Sequence, residues 1–162
     1  MVVTAILHLW LRVPYVPTPR AVARRMVKAA GLKGHERVYD LGAGDGRILI
    51  EAKRMYPGID ATGCELVPTI WLLGWFTILL SHVRIRWKMT NAFVEDLTGA
   101  DAIFVYLTPP LLTKLEDKLD RELRPGTRVI SHDFRFRRHR PVQTEEIPGG
   151  WGGHRRVLVY EW

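Results

Sequence analysis

What this sequence lacks bounds it first. Among its 162 residues there is one cysteine, Cys64, so no disulfide closes within the chain, and a reducing compartment, the cytoplasm, is the expected home. Cys64 falls in the second predicted strand, where a small core residue is its simplest reading. The six histidines include no pair at metal-ligand spacing, and there is no cysteine cluster, which argues against a metal site. No repeat, low-complexity tract or domain-dividing linker interrupts 1–162, so one domain is expected, burying about two thirds of its unfolded surface. Residues 2–11 are nearly all apolar, but the run is too short to span a bilayer and has no small-residue cleavage site. A helix packed on the domain or on a surface is the expectation there, and peripheral membrane contact the alternative. Acid is in short supply. With 17 Asp and Glu against 24 Lys and Arg the formal net charge is +7, which favours nucleic acid, an anionic membrane or an acidic protein without choosing among them.

The most informative stretch is 37–51, RVYDLGAGDGRILIE. Val38, Tyr39 and Leu41 suit a buried strand, Gly42, Gly44 and Gly46 a sharp turn, and Ile48, Leu49, Ala52 and Met55 one face of a helix. Such a turn exposes the first N–H groups of the helix, at the positive end of its dipole. A dinucleotide fingerprint is missing its third glycine, since Arg47 stands there. Instead an acid, Asp40, precedes the first glycine by two residues, and a second acid, Glu65, closes the next strand twenty-five residues after Asp40, where a carboxylate can take the ribose hydroxyls of an adenosine.

Before this stretch, PYVPTP fixes an extended path, with Thr18 as helix cap and Pro19 as first residue of a helix running to about Ala30, capped by Gly31. After it, 60–65 reads as a strand. Residues 66–83, LVPTIWLLGWFTILLSHV, contain no Asp, Glu, Lys or Arg and sit at the threshold for a membrane span, but Pro68 and Gly74 interrupt them where an α/β pattern needs a helix. Core burial, or an uncovered face meeting a second subunit or a membrane-associated partner, are the two expectations. Residues 83–89 alternate as a half-exposed strand with Arg84, Arg86 and Lys88 on one face. A buried strand over 102–107 delivers Tyr106 and Thr108 to the crevice where open α/β sheets bind ligands, followed by a helix over about 110–123 and a fifth strand over 127–133. FRFRRHRP (134–141) is too short and basic for a crossover helix, and 142–147 with 154–161 reads as an antiparallel pair.

PYVPTP, YDLGAGDGRI, LxxELRPGTRVISHDF and a final strand ending in an aromatic together resemble the class I S-adenosylmethionine (SAM) methyltransferases. Within that class they resemble the small archaeal protein-lysine methyltransferases and their relatives acting on ATP synthase subunit c and the adenine nucleotide translocator. The resemblance implies an α/β, Rossmann-like class I sheet of seven mostly parallel strands, helices on both faces, an antiparallel C-terminal pair, SAM as donor, and protein lysine ε-amines as acceptors. It implies that Asp40, Gly42, Ala43, Gly44 and Gly46 cradle the methionine part and that Glu65 binds the ribose. Asn91, with Ala92 beside it, falls near the adenine, an amide where many class I enzymes have an acid. Tyr15 and Thr18 match a segment that folds over the cofactor; a packed aromatic and a helix cap are their simpler roles. The apolar 66–83 stretch is closer to the membrane-substrate branch of this family than to the archaeal enzymes.

In-line methyl transfer needs a neutral amine aligned with the methyl group, which an apolar channel and a nearby positive charge favour. Tyr106 and Thr108 are expected to line that channel, Tyr106 also touching the cofactor, and Asp133 to orient the incoming ammonium. Their alternatives are a core aromatic, a strand end and a turn residue. An RNA methyltransferase is a rival, given the charge and FRFRRHR, but Asn-Pro-Pro-Tyr is missing after the fourth strand, where Tyr-Leu-Thr-Pro stands. A SAM-binding interaction module without catalysis is the third reading.

Overall fold

The computed structural model describes residues 15–148 and 153–162, so the expected helix over 2–11 lies outside the described residues. Seven strands form one sheet: β1 (Arg37–Leu41), β2 (Asp60–Glu65), β3 (Arg86–Met89), β4 (Ala102–Val105), β5 (Arg128–His132), β6 (Gln143–Pro148) and β7 (His154–Glu161). Their order is β3-β2-β1-β4-β5-β7-β6. The first five are parallel, while β7 runs antiparallel to both β5 and β6. This is the Rossmann-like class I sheet that the resemblance implies.

Alternation along the strands builds two apolar layers. Val38, Phe104, Ile130 and Val157 point to one face, against α1 (Arg20–Ala29) and α2 (Arg47–Met55). Leu41, Ile103, Val105, Val129 and Leu158 point to the other, against Leu112, Leu115 and Leu119 of α4 (Pro109–Glu122). The third helix, α3 (Pro68–Ser81), buries only the stripe Ile70, Gly74 and Ile78, one residue every four. Leu72, Leu73, Trp75, Phe76, Leu79 and Leu80 remain exposed, Leu80 by 76%. Among the described residues no helix is long and apolar enough to cross a membrane.

Three boundaries differ from expectation. Helix α1 starts at Arg20 with Pro19 as its cap, so Thr18 stands one residue too early to reach the first-turn amides. Strand β3 begins at Arg86, because His82 takes a left-handed turn and pairing with β2 starts only at Thr62↔Arg86. Strand β4 ends at Val105, which frees Tyr106 and Leu107 from the ladder. The basic loop 134–141 forms no helix and is pinned to α4 by the buried Glu116, whose Oε1 accepts from the amides of Arg138 (2.8 Å) and His139 (3.1 Å).

Candidate active site

Strand order reverses beside β1, whose neighbours β2 and β4 lead their connections to opposite faces of the sheet. At the carboxyl ends of these strands lies a cavity of about 380 Å³, walled by 15–18, the glycine turn, the ends of β2, β3 and β4, and Phe134. The turn is built for close approach. Gly44 has φ +61°, and a Cβ there would lie 3.1 Å from the Tyr15 ring, so a side chain would push the 15–18 segment off the turn.

The amides of the turn are largely consumed inside the protein. Gly42 and Ala43 donate to the Cys64 carbonyl (2.9 and 3.0 Å), Gly46 donates to the Ala43 carbonyl (2.9 Å), and Gly44 donates to Glu65 Oε2 (3.0 Å). The β1–β2 pairing thus draws the turn over the end of β2. The cavity is marked by acids. Glu65 is buried, with Oε1 accepting from the Val67 amide at 2.8 Å. Asp40 is 2% exposed and its Oδ2 has no hydrogen-bond partner among the described residues. Burial pushes the Asp40 carboxyl well above the usual range, and the Glu65 and Asp45 carboxylates raise it further. A buried carboxylate oxygen left open on a cavity wall fits a ligand carrying a cationic head.

Other expected residues are gathered at the same place. Asn91 Oδ1 accepts from the Phe93 amide at 3.0 Å, leaving its NH₂ group for a ligand, and Ala92 stands beside it in the wall. Tyr106 stacks on His132 with centroids 4.0 Å apart. Thr108 takes the cap position of α4 without a side-chain cap bond, so its hydroxyl is free to face the cavity it lines. Thr18 lines the cavity too, but its hydroxyl goes to His132 Nδ1 at 3.2 Å, not to the helix. Burial, then the Asp45 charge, raises the Tyr15 phenol, which lies over the turn.

Two expected residues fall outside the wall. Gly46 starts α2 at φ +78°, where a Cβ would meet Ile78 at 3.2 Å, so its use is in seating α3. Asp133, at φ +63°, spends its carboxylate on Arg155 Nη1 (2.9 Å) and the Arg156 amide (2.8 Å). Sequence reading missed Arg47, which donates to the Thr18 carbonyl (2.8 Å) while held by Asp45, and Lys114, whose ammonium lies 5.0 Å over the Phe93 ring in the cavity wall. Its departure from the dinucleotide fingerprint was the signal available for Arg47; nothing marked Lys114.

Residues 40–143 match the family model of the ANTKMT methyltransferase domain. The chain belongs to this methyltransferase family. A protein-lysine N-methyltransferase of Saccharolobus islandicus is 36% identical over 91% of this chain and 92% of its own length. The adenine nucleotide translocase lysine N-methyltransferase of mouse is 34% identical over 82% of this chain, which spans 58% of that longer protein. The crystal structure of an RNA methyltransferase from Salinibacter ruber, in complex with S-adenosyl-L-homocysteine, superimposes with a TM-score of 0.83 at 32% identity, covering 90% of this chain and 93% of that one. In this methyltransferase the open Asp40 oxygen and the fixed Glu65 carboxylate stand in one cavity, and together they fit SAM, which carries an ammonium, a sulfonium and a ribose diol.

Proposed function

We propose that this protein is a SAM-dependent methyltransferase whose acceptors are lysine ε-amines of proteins. The observation that carries the reading is the open, buried Asp40 oxygen in the same cavity as Glu65, at the carboxyl ends of β1 and β2. Asp40 would hold the ammonium of SAM, Glu65 the ribose hydroxyls, and Asn91 with Ala92 the adenine edge, while Gly42, Ala43 and Gly44 give the methionine part room against the backbone. When bound, SAM supplies an electrophilic methyl group.

The remaining tasks fall to the chain itself. Tyr15, Thr18, Tyr106, Thr108 and Phe134 enclose the cavity and exclude water. Tyr106 and Thr108 present hydroxyls where an amine could be aligned, and an apolar surround disfavours the ammonium form, whose ordinary pKa is about 10.4. Asp133 serves this end through Arg155, which it holds next to Tyr106. Lysine is supported over other acceptors by the names of the archaeal and mouse relatives and by Tyr-Leu-Thr-Pro in place of Asn-Pro-Pro-Tyr.

RNA is the second reading, favoured by the likeness to the Salinibacter ruber RNA methyltransferase and by the net charge of +7. Two members of the basic loop already have partners, since Arg138 and His139 are tied to Glu116, Asp117 and Asp120. Incubation with methyl-labelled SAM and separated protein and RNA fractions decides. Label in lysine supports the proposal, label in RNA replaces it with the second reading, and donor binding without transfer replaces both with a non-catalytic module. The exposed apolar side of α3 supports a membrane-associated substrate or a second copy of the chain over 66–83, and vesicle sedimentation against light scattering separates these two.

A further inference from the structure

Behind the cavity wall, outside the residues that line it, His132 ends β5 with its ring fully buried. Three groups converge on it. Nδ1 lies 3.2 Å from Thr18 Oγ1, the ring centroid lies 4.0 Å from that of Tyr106 with the planes tilted by 36°, and Nε2 is 3.4 Å from Asp133 Oδ2. Two of these neighbours are themselves held from elsewhere: Thr18 by Arg47 through its carbonyl, Asp133 by Arg155 and the Arg156 amide. Thr18 and Tyr106 both line the cavity, one in the segment before α1 and the other after β4, and both touch His132.

We propose that His132 is a positioning residue that ties 15–18 down over the donor end of the cavity through the Thr18 hydroxyl and seats the Tyr106 ring on the acceptor side. The inference rests on reading the cavity as a methyl-donor site. Nε2 makes no hydrogen bond among the described residues, but the Asp133 carboxylate 3.4 Å away favours the proton on that nitrogen, which leaves the Nδ1 lone pair to accept from Thr18. The groups facing the ring are Asp133, Arg155, Tyr106 and Thr18. Burial pushes the imidazole down to about 4, against the pull of Asp133, so the ring is neutral and able to accept at ordinary pH.

The test uses the intact protein with Thr18→Val, His132→Leu and the double variant, titrated with S-adenosylhomocysteine by calorimetry. Each single change is expected to weaken binding about tenfold, the equivalent of one buried hydrogen bond. The double variant should be no worse than His132→Leu alone, because the Thr18 contact cannot be lost twice. His132→Asn, whose side-chain carbonyl can accept the same bond, should recover most of the affinity. In ligand-free protein, amide exchange at Thr18 and Arg20 should speed up in both singles. Additive losses, or exchange and affinity that stay put while only the melting temperature falls, would overturn the proposal. If the unaltered protein binds no S-adenosylhomocysteine, the donor-site reading fails, and the exchange rates alone decide for or against His132.

Discussion

Two buried groups at the active site give the protein opposing responses to pH. Asp40 has a folded pKa raised above its unfolded value, so its penalty is absent below about pH 4 and grows as pH rises through the window above it. His132 has a folded pKa lowered to about 4, so its contribution is complete above about pH 6.5 and is lost as pH falls toward 4, at up to about 1.4 kcal/mol per pH unit. Replacing Asp40 with Asn should therefore raise the melting temperature of ligand-free protein at pH 7, by about 1–3 kcal/mol of stability, while abolishing tight binding of S-adenosylhomocysteine. Melting curves from pH 5 to 8, above the range where Glu116 and other carboxylates of lowered pKa protonate, check both: Asp40→Asn should keep the acid limb of His132, and its persistence unchanged in an Asp40→Asn, His132→Leu protein would refute the assignment of that limb. Asp40, Glu65 and the glycines were legible in the sequence because β1, the turn, α2 and β2 form one β–α–β unit whose spacing fixes their relation. His132 was not, since its partner Thr18 lies 114 residues away and meets it only after β5 pairs with β4 and β7.

At the scale of elements, α3 and α4 show how much the surroundings of a helix decide. The sequence placed α3 correctly and left open whether it is buried; the structure answers that one stripe is buried and the rest is not. Gly74 is the closest point. A Cβ there would run into the Trp87 ring and come within 2.9 Å of the Gly44 carbonyl, in the turn that lines the cavity. Gly74→Ala should thus weaken S-adenosylhomocysteine binding about tenfold or more, although position 74 lies outside the cavity wall; calorimetry with unchanged affinity would show that α3 can shift without moving the turn. Glu116 on α4 is a second case. Burial pushes its carboxyl up, but hydrogen bonds from the His139 side chain and the Arg138 and His139 amides outweigh this and leave it below the usual range. Glu116→Ala strands those amides and should cost about 2–3 kcal/mol in urea unfolding, with ligand affinity kept within about twofold. The composition of 134–141 suggested a nucleic-acid arm; the tertiary partners of Arg138 and His139, invisible in a local window, make part of it a clasp on α4.

For the whole molecule, the exposed side of α3 and the net charge of +7 govern its behaviour in solution. Changing Leu73, Phe76 and Leu80 together to Glu should suppress concentration-dependent light scattering and any vesicle binding while leaving S-adenosylhomocysteine affinity within about twofold, because these side chains point away from the cavity. The sheet also settles the fate of the sole sulfur nucleophile. Cys64 is buried in β2, and burial, foremost, pushes its thiol up to about 12, so thiolate is scarce at neutral pH. Maleimides should leave the folded chain untouched, and a cysteine engineered anywhere on its surface would become a unique handle for a fluorophore or spin label without first removing the native one.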